Sequence, residues 1–396
     1  MFEAITISIQ NKNELTEPID IGSLVECMLF YNKVSVVANQ AILKQLINYF
    51  GFDRLIELIE EELLELLYTD TFVGIITNTQ NNTQFHDAAE YSSPNHTFFD
   101  QINRVCTEVS GKSGKGRRLA NRIRDRIHLT KNDTIILEGT RESILDQDYV
   151  GNAAKEIIKE LVPGVENISE IKFNTFKESE GIVVETNLNF TVLNELYHKR
   201  VSPKHSSLSN AYILAHLLDA ERELYFSSSR LSELSSSTLS SKIIGHKINY
   251  ILARSNKSKE LLSNFNSFFF NNNKALREEV NAKRIDLDEL MKVLKNSGKF
   301  KKWLVGIAPD EDLLKKYYQE VTKKTIVDKL PGKSTRWLIF TGLGILSDVI
   351  ATGGLATIGG LTLSALDTFI VDKIISGWKP NQYIEEEIKN LIKLGL

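Results

Sequence analysis

The chain is poor in cysteine: Cys27 and Cys106 are the only two in 396 residues, and neither sits in a C-x-x-C pair. This excludes a disulfide framework and a cysteine-rich metal site, and it fits a reducing compartment. Metal-binding spacing is also missing. His86, His96, His128, His198, His205, His216 and His246 form no H-E-x-x-H or related pattern, and His86-Asp87 reads as an isolated surface pair in a polar loop. No G-x-S-x-G elbow is present. Ser110-Gly111-Lys112-Ser113 ends like a phosphate loop, but the position that needs the first glycine is Cys106. The sequence therefore offers no catalytic residue, no metal ligand set and no cofactor motif, and the expectation is a protein that is not an enzyme. Net charge is equally uninformative at -3, so any electrostatic argument must be local. Met1 to Ser8 carries no basic stretch and no long apolar core, which predicts synthesis in the cytosol.

What is present is ordinary globular composition, 42% hydrophobic and 25% charged, in a length that suggests more than one domain. The pattern predicts an α+β chain: a mixed N-terminal region, then a mainly helical C-terminal half. Ile5–Ile9, Val34–Val37 and Thr71–Thr77 read as strands. Asn39 caps a helix that stops at Gly51, and Asp53 caps a second one over Arg54–Tyr68. Asn78–Pro94 reads as a loop. Residues 171–176 and 182–190 read as a hairpin, Ser209–Phe226 as a helix, and the serine-rich Ser227–Ser241 as an exposed connection or weak helix. Further helices are expected at 242–254, 257–270, 274–281, 286–296 and 310–323. The expected divisions are 1–150 (α+β, sensor-like), 151–240 (hairpin plus helix), 241–330 (helical) and 331–396 (apolar helical hairpin and C-terminal amphipathic helix).

Trp337 to Leu366 holds thirty residues and one formal charge, Asp348. Gly353-Gly354 splits the run into two arms, and Gly359-Gly360 adds the small residues that let helices approach closely in lipid. Basic residues and the tryptophans Trp337 and Trp378 bracket it, as a membrane interface requires. Within such a hairpin Asp348 and Asp367 are the pore-lining candidates. The first arm is short, about 24 Å at 1.5 Å per residue against a core of about 30 Å. Burial as a helical hairpin inside the protein is the competing reading.

Gly111 to His128 concentrates seven Lys or Arg with one acid. On a helix Arg118, Arg122 and Arg126 share one face, while Leu119, Ile123 and Ile127 share the next. Lys112, Lys115 and Arg117 complete a candidate polyanion site for phosphates of a nucleotide or oligonucleotide, or for anionic lipid headgroups. The competing reading is a solvated face, or a partner for the acidic helix around Glu57–Glu65.

Near the C-terminus, Lys299-Phe300-Lys301-Lys302-Trp303-Leu304, Asp328-Lys329-Leu330-Pro331 with Arg336-Trp337, and Asp367 with Gly377-Trp378-Lys379-Pro380-Asn381-Gln382 resemble a family of uncharacterised bacterial proteins with such a tail. The architecture, a folded front with a glycine-rich hairpin behind it, is similar to channel-type effectors of bacterial anti-phage systems such as the Hailong effector. The leading expectation is a regulated membrane effector, a homo-oligomeric channel in antiviral defence, associated with the inner membrane constitutively or on activation. Membrane lipids would be its partners and a nucleotide or oligonucleotide its ligand. The alternative is a soluble regulator that binds nucleic acid or nucleotide, with the hairpin buried as core.

Overall fold

The computed structural model describes residues 2–8, 18–92, 97–162, 164–165, 171–201, 203–254, 266–269, 274–304, 338–341, 363–378 and 382–385. The chain is an α+β protein with two sheets.

The first sheet is built on β1 (Ala4–Ile7), β2 (Lys33–Ala38), β3 (Glu65–Thr69) and β6 (His128–Thr130), which lie side by side in parallel. On the other side of β1 lies β9 (Glu233–Ser237), also parallel, then β12 (Gln382–Glu385), β10 (Asn266–Phe269) and β11 (Leu338–Thr341). Parallel neighbours need crossovers, and those crossovers supply helices to both faces. Alternation sorts the strand side chains: Ile5, Ile7, Val34, Val36, Leu66 and Tyr68 face one helical layer, and Val37 and Leu67 face the other.

The first layer comprises α1 (Ile21–Phe30), α2 (Gln40–Phe50), α3 (Phe52–Glu60), α4 (Phe98–Ser110), α5 (Ser113–Arg124) and α12 (Leu287–Leu304), with α11 (Lys274–Asn281) against α1. Opposite stand α6 (Thr134–Leu145), α9 (Asn210–Ser229) and α10 (Thr238–Arg254), joined by α7 (Gln147–Leu161), α8 (Phe190–Tyr197) and α13 (Ala365–Ile375). The second sheet packs on that side. It is antiparallel, in the order β4 (Thr71–Gln80), β5 (Thr83–Ser92), β8 (Gly181–Thr186), β7 (Phe173–Glu178), and its inner face carries Val73, Ile75, Ala88, Phe173 and Ile182.

Several local expectations hold. The Asn39 side chain accepts from the Ile42 amide at 3.0 Å, and α2 ends at Gly51 with φ +78°. Ser209 caps α9. Others are corrected. The helix expected over Arg54–Tyr68 ends at Glu60, Glu62 turns at φ +57°, and Glu65 to Thr69 is a buried strand. Residues 78–92 of the supposed loop belong to a hairpin of two ten-residue strands, because Asn81 and Asn82 both adopt positive φ and reverse the chain in two residues. His86 is buried in it with Nδ1 2.9 Å from Thr77 Oγ1, and Asp87 pairs with Arg141 at 2.6 Å, so neither belongs to a free surface pair. The serine-rich stretch is the most deeply misread. All five residues of β9 are buried at the centre of the sheet. Polar groups are tolerated there because they are bonded: Ser237 Oγ accepts the Ser240 amide at 2.9 Å, Glu233 accepts the Phe2 amide at 3.0 Å and the Tyr31 hydroxyl at 2.7 Å, and next to the strand Thr6 Oγ1 and Ser232 Oγ lie 2.6 Å apart.

The membrane hairpin is overturned, and with it the channel and transmembrane-helix reading. Among the described residues no helix is long and apolar enough to cross a membrane. Leu338–Thr341, expected as the start of a helical arm, is a strand antiparallel to β10. The second arm contributes α13, eleven residues, about 16 Å at 1.5 Å per residue and half of what a span requires. Asp367 is 3% exposed and Trp378 also 3%, and the indole Nε1 donates to the Ser232 carbonyl at 2.8 Å. Neither lines a pore or marks an interface. Trp337, Asp348, Gly353, Gly354, Gly359 and Gly360 lie outside the described residues, as do the helix expected at 310–323 and most of that at 257–270, of which 266–269 is strand β10. Within the expected C-terminal amphipathic helix, Gln382–Glu385 is strand β12.

Two charged groups test this packing. Burial pushes the Glu65 carboxyl up, but Arg230, Ser35 and Lys33 outweigh it and hold it at about 2. A depressed carboxylate stabilises above its unfolded value near 4.5 and loses that as pH falls through about 2. Glu65→Gln should therefore cost about 1–3 kcal/mol at neutral pH, with the gap from wild type closing as urea titrations are run toward pH 2. Lys301 on α12 behaves oppositely. It is 1% exposed with no hydrogen-bond partner for Nζ among the described residues, and burial pushes its ammonium down to about 8. Its folded state binds fewer protons than the unfolded chain between pH 8 and 10.5, so the burden is full below 8 and lifts as pH rises. Lys301→Met should stabilise by about 1–3 kcal/mol at pH 7, a gain that vanishes near pH 10.5 in the same titrations.

Candidate polyanion-binding surface

The basic run folds as the second member of a helical hairpin. Helix α4 is closed by a capping box at Thr97 and Asp100 and ends at Gly111 in the left-handed conformation, φ +67°. The chain turns there, and α5 starts within two residues. Its packing face is Gly116, Leu119, Ala120 and Ile123, all buried. Ile127 just beyond is buried too, as its spacing predicts. Gly116 is needed for this approach: a Cβ there would overlap the Thr107 backbone on α4.

The other faces of α5 carry the charge. Lys112, Lys115, Arg117, Arg118, Arg122 and Arg124 are exposed and Arg126 is half-buried. The structure divides them. Arg122 pairs with Asp53 at 3.0 Å and Arg126 with Glu60 at 2.6 Å, so the acidic helix α3 is a partner for the end of the run. Arg124 contacts Asp125 at 3.0 Å and lies over the Phe99 ring. Lys112, Lys115, Arg117 and Arg118 pair with no carboxylate among the described residues. They surround the start of α5, where Lys112 provides no side-chain cap and the first turn holds no acid. Unsatisfied first-turn amides and four cations together make a surface suited to phosphate oxygens.

A second polar cluster was not foreseen as a unit. On the opposite side of the sheet, Lys247 is fully buried. Its Nζ lies 2.6 Å from Ser143 Oγ, 3.0 Å from Glu221 Oε1 and 2.7 Å from Asp367 Oδ1, with the rings of Tyr149 and Tyr250 at 5.3 and 5.4 Å. Ser143 donates on to Glu221 at 2.6 Å. A serine against a lysine invites a nucleophilic reading, but the electrostatics oppose it. Burial works against the Lys247 ammonium, yet Glu221 and Asp367 outweigh it and hold the group charged, above the ordinary lysine value. Such a lysine does not take a proton from Ser143. The signal was legible one residue at a time: Glu221 interrupts the apolar stripe Leu214, Leu217, Leu218, Leu224, and Lys247 sits among Ile243, Ile244, Ile248 and Ile251.

Among the described residues no group of histidine, cysteine and carboxylate side chains is placed to hold a metal ion. Both cysteines are buried thiols. No protein-family profile, no curated protein and no solved structure matches the chain.

The close helix crossing gives a direct test of how the surface is held. Gly116→Val should push α5 off α4 and destabilise by about 1–3 kcal/mol through overpacking, read as a lower thermal midpoint by circular dichroism. An unchanged midpoint would mean the two helices do not cross at Thr107.

Proposed function

We propose that this chain binds nucleic acid through the phosphate backbone, using the start of α5, and acts by binding rather than by turnover. One observation carries the reading. Lys112, Lys115, Arg117 and Arg118 are exposed and without carboxylate partners at an uncapped helix start, whereas the cations one and two turns later are neutralised by α3. Phosphate contacts of this kind give affinity and register with little base discrimination. The run offers no exposed aromatic between its cations, so stacking on unpaired bases is not its mode, and the backbone of a duplex is the better match.

Fluorescence anisotropy with a short labelled duplex tests this. Binding should weaken steeply with salt. Lys115→Glu/Arg118→Glu should lower affinity at least about tenfold and reduce the salt slope by about 0.9 for each phosphate that is no longer neutralised. Arg122→Glu, which acts on a residue already paired with Asp53, should have the smaller effect. Binding that ignores salt, or a double variant that binds like wild type, would refute the assignment.

A further inference from the structure

Helix α13 and strand β12 form the last described unit of the chain, and together they close one half of the main sheet. α13 lies on α6, α9 and α10, and β12 inserts between β9 and β10. The strand that β12 meets is unusual in chemistry. β9 reads Glu233-Leu234-Ser235-Ser236-Ser237, so a single apolar side chain faces its neighbours. A strand of serines gains little from removal of apolar surface. Helix α13 buries Leu366, Ile370, Val371 and Ile374 in the apolar core on that side, and a few directed contacts add to it. Asp367 meets Lys247 at 2.7 Å, the Trp378 indole meets the Ser232 carbonyl, and Phe369 stacks on Tyr225 at 5.6 Å. Leu366 rests directly on Gly139 of α6.

We propose that the Lys247–Asp367 contact is a charge latch that docks α13 and β12 on the body, and that Glu221, competing for the same ammonium, sets how firmly it closes. Two carboxylates face one lysine in a space where Lys247 and Glu221 are wholly buried and Asp367 nearly so. With both ionised the cluster carries one uncompensated negative charge away from water, which a low-dielectric interior opposes strongly. The groups that face it are Ser143 from α6, Tyr149 from α7, Glu221 from α9, Lys247 and Tyr250 from α10 and Asp367 from α13. Tyr250 leads outward to Asp146, which Arg254 neutralises. No second cation among them balances the cluster. A proton does so: burial and Asp367 raise the Glu221 carboxyl against the lowering by Lys247 and Ser143. With Glu221 neutral, Asp367 has Lys247 to itself and the latch is shut. When Glu221 ionises, it draws on Lys247 and repels Asp367, the one acid of the cluster that sits on α13.

Hydrogen exchange of the full chain, read by mass spectrometry and corrected for intrinsic rates, tests this without any ligand. Peptides within 363–378 and 233–237 should exchange about tenfold faster in Asp367→Asn than in wild type, with those over 33–38 and 65–69 unchanged. In wild type, exchange in 363–378 should rise with pH, and Glu221→Gln should remove that rise and slow exchange at alkaline pH. If Asp367→Asn leaves 363–378 as protected as wild type, or loosens every segment equally, the latch is refuted. Should Asp367→Asn fail to fold, Glu221→Gln decides alone: a pH response like that of wild type refutes the proposal, and its loss supports it.

Discussion

Strand β1 is paired in parallel on both sides, with β2 and with β9, and this constraint organises the rest of the molecule. A central parallel strand must be dry on both faces. Its neighbours must therefore arrive by crossovers, and the crossovers must bury apolar stripes above and below. Helices α1 to α5 and α12 satisfy one face, α9 with α6 and α10 the other. The two charged clusters follow from this division. α5 belongs to the layer at the β6 end of the sheet, so its polar side is open to solvent. Lys247 and Glu221 belong to helices covered by α7, α13 and the second sheet, so their charges are enclosed.

The two clusters show opposite uses of charge. Around Lys247 two carboxylates share one ammonium at 3.0 and 2.7 Å, and the arrangement specifies which helix docks where more than it adds stability. Glu65, held by Arg230 and Lys33 at the solvent margin, keeps some water and is the more favourable kind of ion pair. Lys301 is buried with no hydrogen-bond partner for Nζ among the described residues, and its burial is a net cost to the fold. On α5 the cations nearest the helix start are left over after α3 has taken those it can reach.

Much of the local structure was readable in the sequence, and the failures share a cause. Asn39, Gly51, Ser209 and the Leu119–Ile123–Ile127 stripe act through neighbours within a turn, and the structure places them as read. Leu63, Leu64 and Leu67 fit a continued helix by spacing, but the chain turns at Glu62 and the parallel pairing of Glu65–Tyr68 with β2 places Leu67 in a strand. β9 has the composition of a loop; it is a strand because β1 and β12 flank it, with Tyr31 donating to its Glu233 and Thr6 bonded to Ser232 just before it. The tail misled for a related reason. Low charge and dense glycine describe a lipid-facing helix and a buried segment alike, and the pairing of Leu338–Thr341 with β10 and of Asp367 with Lys247 comes from residues far away in the chain. Of the candidate site, the charge of α5 was legible, but its division into paired and unpaired cations depended on α3.

That division also argues about purpose. A helix start carries partial positive charge, so cations placed there weaken the helix and acids strengthen it. α4 obeys this, with Asp100 in its first turn, and so does α7, with Asp148. α5 does the reverse. Its first turn has no acid and is ringed by Lys112, Lys115, Arg117 and Arg118, while Asp53 and Glu60 pair at the far end, where arginines already suit the helix dipole. Lys112 and Lys115, at the wrong end of the helix dipole, cost stability at low ionic strength, on the order of 0.3–1 kcal/mol each, and Arg117 and Arg118 add repulsion. A phosphate chain laid across that end would satisfy the open amides, neutralise the cations and offset the cost in one step, and this is the argument for the proposed binding surface over a solvated face.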